Sequence, residues 1–182
     1  SDLILFLITI CLLDGDDIFK KNKLKEINNF FKKNLDIDVV QDKPIVIKNN
    51  IKSEYKLKKS LPWFEIWPKF YPTSTFSIKK KELRRFIKKI TSKKSGLLEV
   101  DAMLFFYSKL FKNNHQILSK NLTYYVQDVN GISSKFKKFS RNWFYKRTQA
   151  HNFLISLLKF KQYPYKIDFF LTKLFYNLLK FF

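Results

Sequence analysis

Three places in the chain hold residues whose types and spacing could do chemistry. Between Lys135 and Arg147 six cations (Lys135, Lys137, Lys138, Arg141, Lys146, Arg147) interleave with five aromatics (Phe136, Phe139, Trp143, Phe144, Tyr145), and no acid interrupts them. Such cations neutralise phosphates and Arg also forks bidentately onto them, while the aromatics either stack on unpaired bases or face a core. Two of the four Arg residues of the chain fall in this window, which points to RNA contact by Lys135, Phe136, Lys137, Lys138, Arg141, Trp143, Lys146 and Arg147. The competing reading is a packed aromatic face with solvated cations. A second group, Asp14-Gly15-Asp16-Asp17, has the acids of a calcium loop, but Phe19 stands where an EF-hand requires Gly and Lys25 where it requires a bidentate Glu. It reads instead as a polar turn leading into a helix. The third group, Glu99 and Asp101, is spaced for a strand or turn rather than paired on one helix face.

Other chemistry is not signalled. Cys11 is alone inside an apolar run, so neither a disulfide framework nor a thiolate metal site is expected. His115 and His151 lie far apart in sequence with no carboxylate cluster near either, and read as partly exposed structural or RNA-facing positions. Without a Gly-rich phosphate loop, a nucleophile elbow or a metal-ligand cluster, the expectation is a binding protein and not an enzyme, with no cofactor, no metal and no small-molecule substrate.

These groups need elements to hold them. Leu24, Ile27, Phe30, Phe31 and Leu35 recur at helical spacing behind the acidic turn. Thr73 to Lys79 alternates as a strand and leads into a helix from Lys80 to Lys93, with Leu83, Phe86, Ile87 and Ile90 as its apolar stripe and Ser95-Gly96 as its stop. Residues 97–111 are ambiguous between strand and helix. Leu122 to Gln127 reads as a strand, Phe153, Ile155 and Leu157 as a further strand, and Ile167, Phe170, Leu171, Leu174, Phe175 and Leu178 as a strong helical stripe after Pro164. The window of cations and aromatics would then form the tip and arms of a hairpin between two strands. The order β-α-β-β-α, with a last strand possible at 177–182, favours an α+β sandwich of two helices on one sheet.

Composition bounds the partners. The 182 residues carry 36 Lys+Arg against 15 Asp+Glu, a formal charge of +21, together with 46% hydrophobic residues, so the chain can bury a core and still needs a polyanion or an anionic surface to offset its self-repulsion. Residues 1–42 contribute none of that excess, having 8 acids and 6 bases. Four of the five prolines lie in 43–75, which bars a long helix there and marks residues 1–75 as an N-terminal extension to a domain over 76–182. The apolar run Leu3–Leu13 is too short to span a bilayer, which takes roughly 20 residues, and it lacks the flanks of a secretory or matrix-targeting signal. Abundant Lys, Asn, Ile, Phe and Tyr with little Arg suggests an A+T-rich, organellar coding sequence.

Ser140-Arg141-Asn142-Trp143-Phe144-Tyr145-Lys146-Arg147-Thr148 reads S-R-x-x-F-x-x-R-T and resembles the signature of the tenth small-subunit ribosomal protein family. In that family the motif follows a long loop and opens a strand. Val129-Asn130-Gly131-Ile132 departs from the family's loop, Tyr145 replaces its usual acid, and nothing in the family accounts for residues 1–75. The resemblance implies a ferredoxin-like two-helix, four-stranded sandwich with a long RNA-binding hairpin over 126–147. It implies a structural constituent of the head of the small ribosomal subunit, partnered by ribosomal RNA and neighbouring ribosomal proteins. With the composition, it implies an organelle-encoded protein of the mitochondrial matrix. The alternative expectation, resting on the apolar terminal segments and the basic excess, is an accessory subunit of an organellar membrane complex, with Leu3–Leu13 and the C-terminal aromatic helix lying on an anionic membrane surface without stable insertion.

Overall fold

The fold is taken from a computed structural model, which describes residues 9–57, 70–91, 96, 98–127 and 137–179. In chain order the elements are β1 (Thr9–Cys11), β2 (Ile18–Phe19), α1 (Lys23–Lys33), β3 (Val39–Lys48), β4 (Ile51–Glu54), β5 (Phe76–Lys79), α2 (Lys80–Thr91), α3 (Val100–Phe105), β6 (His115–Val126), α4 (Arg141–Leu158) and α5 (Lys166–Leu178). The last turns of α3 continue as a π-helix over Phe106–Phe111.

The protein is α+β, and its described residues form one mixed, six-stranded sheet, ordered β1-β5-β3-β6-β2 with β4 also on β3. β3 is its axis. β5 runs antiparallel to its first residues (Val39↔Ile78, Gln41↔Phe76), β4 antiparallel to its last (Ile45↔Glu54, Lys48↔Ile51), and β6 parallel along its other edge (Val39↔His115, Ile47↔Val126). β1 is antiparallel to β5, so β1, β3 and β6 point the same way. Pro44 sits inside β3 because the register with β6 jumps between Asp42 and Pro44, an irregularity that removes the need for the N–H that proline lacks. Asn49 and Asn50, with φ of 49° and 61°, close the β3–β4 hairpin in the left-handed backbone that Asn tolerates and such tight turns require.

Successive residues of β3 feed opposite faces. Val39 joins Phe76, Ile78, Phe86, Phe106 and Leu154 in the larger core, covered by α2, α3 and α4, while Val40 joins Ile27, Phe31, Leu118 and Leu122 in a smaller core beneath α1. The four-stranded, two-helix arrangement is therefore not what is described here. The sheet draws strands from both sides of residue 75, so the described part of 1–75 is built into the same layer as 76–126 and is not appended to it.

The expected helices at 24–35, 80–93 and 167–178 correspond to α1, α2 and α5, and the expected strand at 122–127 is the end of β6. Thr73–Thr75 form a 3-10 turn ahead of β5 instead of starting it. The expected strand around Phe153, Ile155 and Leu157 is a correction, since these residues belong to α4. Ser140 caps that helix by accepting a hydrogen bond from Trp143 N at 3.2 Å, no Gly or Pro interrupts it, and Phe144, Arg147, Ala150, Leu154 and Leu157 bury one face at helical spacing. The alternation at 153–157 was a fragment of this longer period. The possible last strand fares likewise: α5 runs to Leu178, and 180–182 lie outside the described residues.

Candidate functional site

The RNA-directed window is dispersed by the structure. Lys135 and Phe136 lie outside the described residues. Lys137, Lys138 and Arg141 are exposed at the entrance to α4. Trp143 packs edge-on against Phe144 at 4.8 Å and carries the Arg147 guanidinium over its ring at 4.6 Å. Lys146 is buried against Glu99. Arg147 is 7% exposed and its Nη2 donates to both oxygens of Asp168, at 2.7 and 2.6 Å. A guanidinium so engaged joins α4 to α5 and is not presented to a polyanion. The motif S-R-x-x-F-x-x-R-T thus builds the cap and first turns of a helix, where a hairpin arm was expected.

Both histidines are interior. His151 meets the Tyr163 hydroxyl through Nδ1 and faces Asp168 at 3.4 Å through Nε2. His115 packs edge-on against Phe105 at 5.3 Å, and burial, with Lys109 adding a little, lowers its pKa to about 4.

A different cluster is assembled where β1 and β6 end. The turn Asp14–Asp17 follows β1, and Asp14 and Asp16 are exposed while Asp17 is buried. Three bonds fix it: Leu12 N donates to Phe76 O at 3.0 Å, Asp14 N to Ser74 Oγ at 2.8 Å, and Val126 N, at the end of β6, to Asp17 Oδ1 at 2.8 Å. Beside Ser74, Thr73 Oγ1 donates to Asp101 Oδ2 at 3.1 Å, and the other Asp101 oxygen accepts from Ala102 N at 2.6 Å in the first turn of α3. Burial raises the pKa of both Asp17 and Asp101 above the ordinary carboxylate range, and the neighbouring acids, Asp16 and Asp14 for the former and Glu99 and Asp14 for the latter, add to it. Tyr55, Tyr71 and Tyr125 line the same end, Tyr55 meeting Tyr71 at 5.5 Å and Tyr125 at 6.1 Å. Burial holds the Tyr125 hydroxyl in its neutral form, assisted by Tyr55 and by Asp17, Asp16 and Asp14.

A buried polar network holds these pieces in place from below. Lys23, 1% exposed, donates to Asp42 Oδ1 at 2.7 Å, to Ser74 O at 2.6 Å and to Thr123 Oγ1 at 2.6 Å, tying α1, β3, β6 and the 73–75 turn together. Gln41 Nε2 adds donors to Tyr71 O at 2.8 Å and Thr75 Oγ1 at 3.0 Å. Lys23 therefore acts through the turn it anchors and does not reach the surface.

The acidic turn was legible as a polar turn before a helix, and that much agrees with the structure. Its functional signal lay in the preceding apolar run, since acids placed directly after a short strand sit at that strand's carboxyl end. The convergence with Asp101 across some 85 residues had no signal in sequence.

No protein-family model matches the chain, and no curated protein matches it. Among solved structures, that of S. aureus TarS 1–349 in complex with UDP-GlcNAc shares the fold at a TM-score of 0.52 and 12% identity. The match covers 94% of this chain and 47% of the other, so the chain spans about half the length of that protein. This likeness stands against the expectation of a ribosomal RNA-binding constituent. It stands equally against the expectation that the protein performs no chemistry. The motif behind the ribosomal resemblance is the capped start of a partly buried helix, whereas the polar groups that converge come from Asp14–Asp17 after β1, Asp101 in α3 and Tyr125 near the end of β6.

Proposed function

We propose that this chain is part of a glycosyltransferase that uses a nucleoside-diphosphate sugar, with the acidic turn Asp14–Asp17 and Asp101 at its reacting end. The observation that carries the reading is that these acids, with Tyr55 and Tyr125, gather at the carboxyl ends of β1 and β6, which run the same way in one mixed sheet, the kind of position where open sheets with parallel strands bind ligands. The likeness to a structure holding UDP-GlcNAc supports the ligand class.

Transfer joins an acceptor oxygen to the anomeric carbon, breaks that carbon's bond to the diphosphate oxygen, and releases one proton from the acceptor hydroxyl. Asp101 suits the base, because a partly buried carboxylate with a raised pKa holds a proton better than an ordinary one while Thr73 and Ala102 fix its direction. Exposed Asp14 and Asp16 suit a divalent cation of the kind bound by one or two carboxylates together with substrate phosphates. Such a cation would neutralise charge on the departing diphosphate.

The test is calorimetric titration of the chain with UDP-GlcNAc in Mg²⁺ or Mn²⁺, followed by UDP release. Binding is expected, weakened in Asp14→Asn with Asp16→Asn. Asp101→Asn should bind as the parent does and release UDP about 10²- to 10⁴-fold more slowly. Absence of binding by UDP-GlcNAc and by other nucleotide sugars would overturn the reading.

A further inference from the structure

The apolar stripe of α5 points the wrong way for a core helix. Ile167, Phe170, Leu171, Leu174, Phe175 and Leu178 recur at the spacing of one helix face, yet all are exposed, Ile167 by 55%, Phe170 by 60% and Leu174 by 53%. The face turned to the protein is instead Asp168, Phe169 and Thr172. The inversion is imposed by the ion pair of Asp168 with Arg147 and the packing of Phe169 on His151 at 5.5 Å, which fix the rotation of the helix on α4. A contiguous outward apolar face of this size needs a cover.

Charge identifies the cover. From Val129 to Phe182 the sequence contains a single acid, Asp168, and that acid is turned inward. Lys166 and Lys173 are exposed on one flank of the stripe, and Lys159 and Lys161 are exposed in the connection just before it. Both flanking ammonium groups lie over aromatic rings, Lys166 over Phe160 at 5.7 Å and Lys173 over Phe169 at 4.7 Å, so the two cations border the apolar stripe on one side. A second copy paired antiparallel through this face would set the lysine flanks of the two α5 helices side by side, with no outward acid in 129–182 to offset them. The helix has 13 residues, about 20 Å, and no described helix is long and apolar enough to cross a membrane.

We infer that α5 is a peripheral membrane dock: its outward face lies in the headgroup region of an anionic bilayer, with Lys166 and Lys173 on lipid phosphates. Apolar burial and attraction to anionic lipid act together in such a helix.

Co-sedimentation of the full chain with phosphatidylcholine vesicles, with and without phosphatidylglycerol, tests this. Binding should require phosphatidylglycerol and fall with salt. Phe170→Ser with Leu174→Ser keeps every charge and should weaken binding by at least about tenfold, with an unchanged thermal midpoint because both side chains are exposed. Lys166→Glu with Lys173→Glu should also weaken it. If the Ser pair binds as the parent does, adsorption is by charge alone and the dock is wrong. It is equally wrong if no vesicle binds the parent, or if the parent is a dimer in sedimentation equilibrium that the Ser pair dissociates.

Discussion

Lys23 illustrates how a single buried charge organises this protein. Burial pulls its pKa down, and the Asp42 carboxylate, itself 0% exposed, works against that by favouring the ammonium form. Removing one member of such a pair strands the other, so Lys23→Ala should lose about 3–5 kcal/mol in urea denaturation. The loss should carry over to the acidic turn, because Ser74, which accepts from Asp14 N, is held by Lys23 through its carbonyl. His115 makes a pH-dependent contribution of definite sign. Its folded pKa of about 4 lies below the value of about 6.5 for an unfolded histidine, so the unfolded chain binds the proton first as pH falls. The stability it permits is complete above pH 6.5 and is lost progressively down to pH 4, by at most about 3 kcal/mol. His115→Phe should flatten denaturation midpoints over that window, while a parent protein equally stable at both ends would exclude the effect.

At the scale of elements, α4 and α5 form a unit joined by Arg147, Asp168, His151 and Tyr163, all buried. Arg147 and Arg141 share a sequence motif but not an environment. Arg147→Ala should cost about 3–5 kcal/mol, since Asp168 loses its guanidinium in the interior. Arg141→Ala, at an exposed position in the first turn of α4, should stay within about 0.5 kcal/mol. Thermal unfolding of the two variants side by side distinguishes this from a pair of equivalent surface contacts. β3 plays the corresponding part in the sheet. Its ten residues accept β6 along one edge and, on the other, β5 at residues 39–41 and β4 at residues 45–48.

For the molecule as a whole, the proposed reacting end exists only because separate segments meet: 14–17 after β1, Tyr55 after β4, the 71–74 stretch before β5, Asp101 in α3 and Tyr125 near the end of β6. A base with a raised pKa gives the proposed transfer a pH signature. Activity should fall on the acid side beginning above the ordinary carboxylate range, as Asp101 takes up its proton, and rate against pH for UDP release measures it. Sequence by itself determined what depends on neighbours a few residues away: the amphipathic periods of α1, α2 and α5, the strand at 122–126, the turn at 14–17 and the basic, acid-poor C-terminal third. Tertiary structure alone decided that Phe153 to Leu157 continue a helix capped at Ser140, that Arg147 is spent on Asp168, and that the stripe of α5 faces out. The reason is physical. Periodicity reveals that a helix has an apolar face, but which face turns inward depends on the partners it meets, and here a buried ion pair and one phenylalanine hold the helix against its larger apolar side.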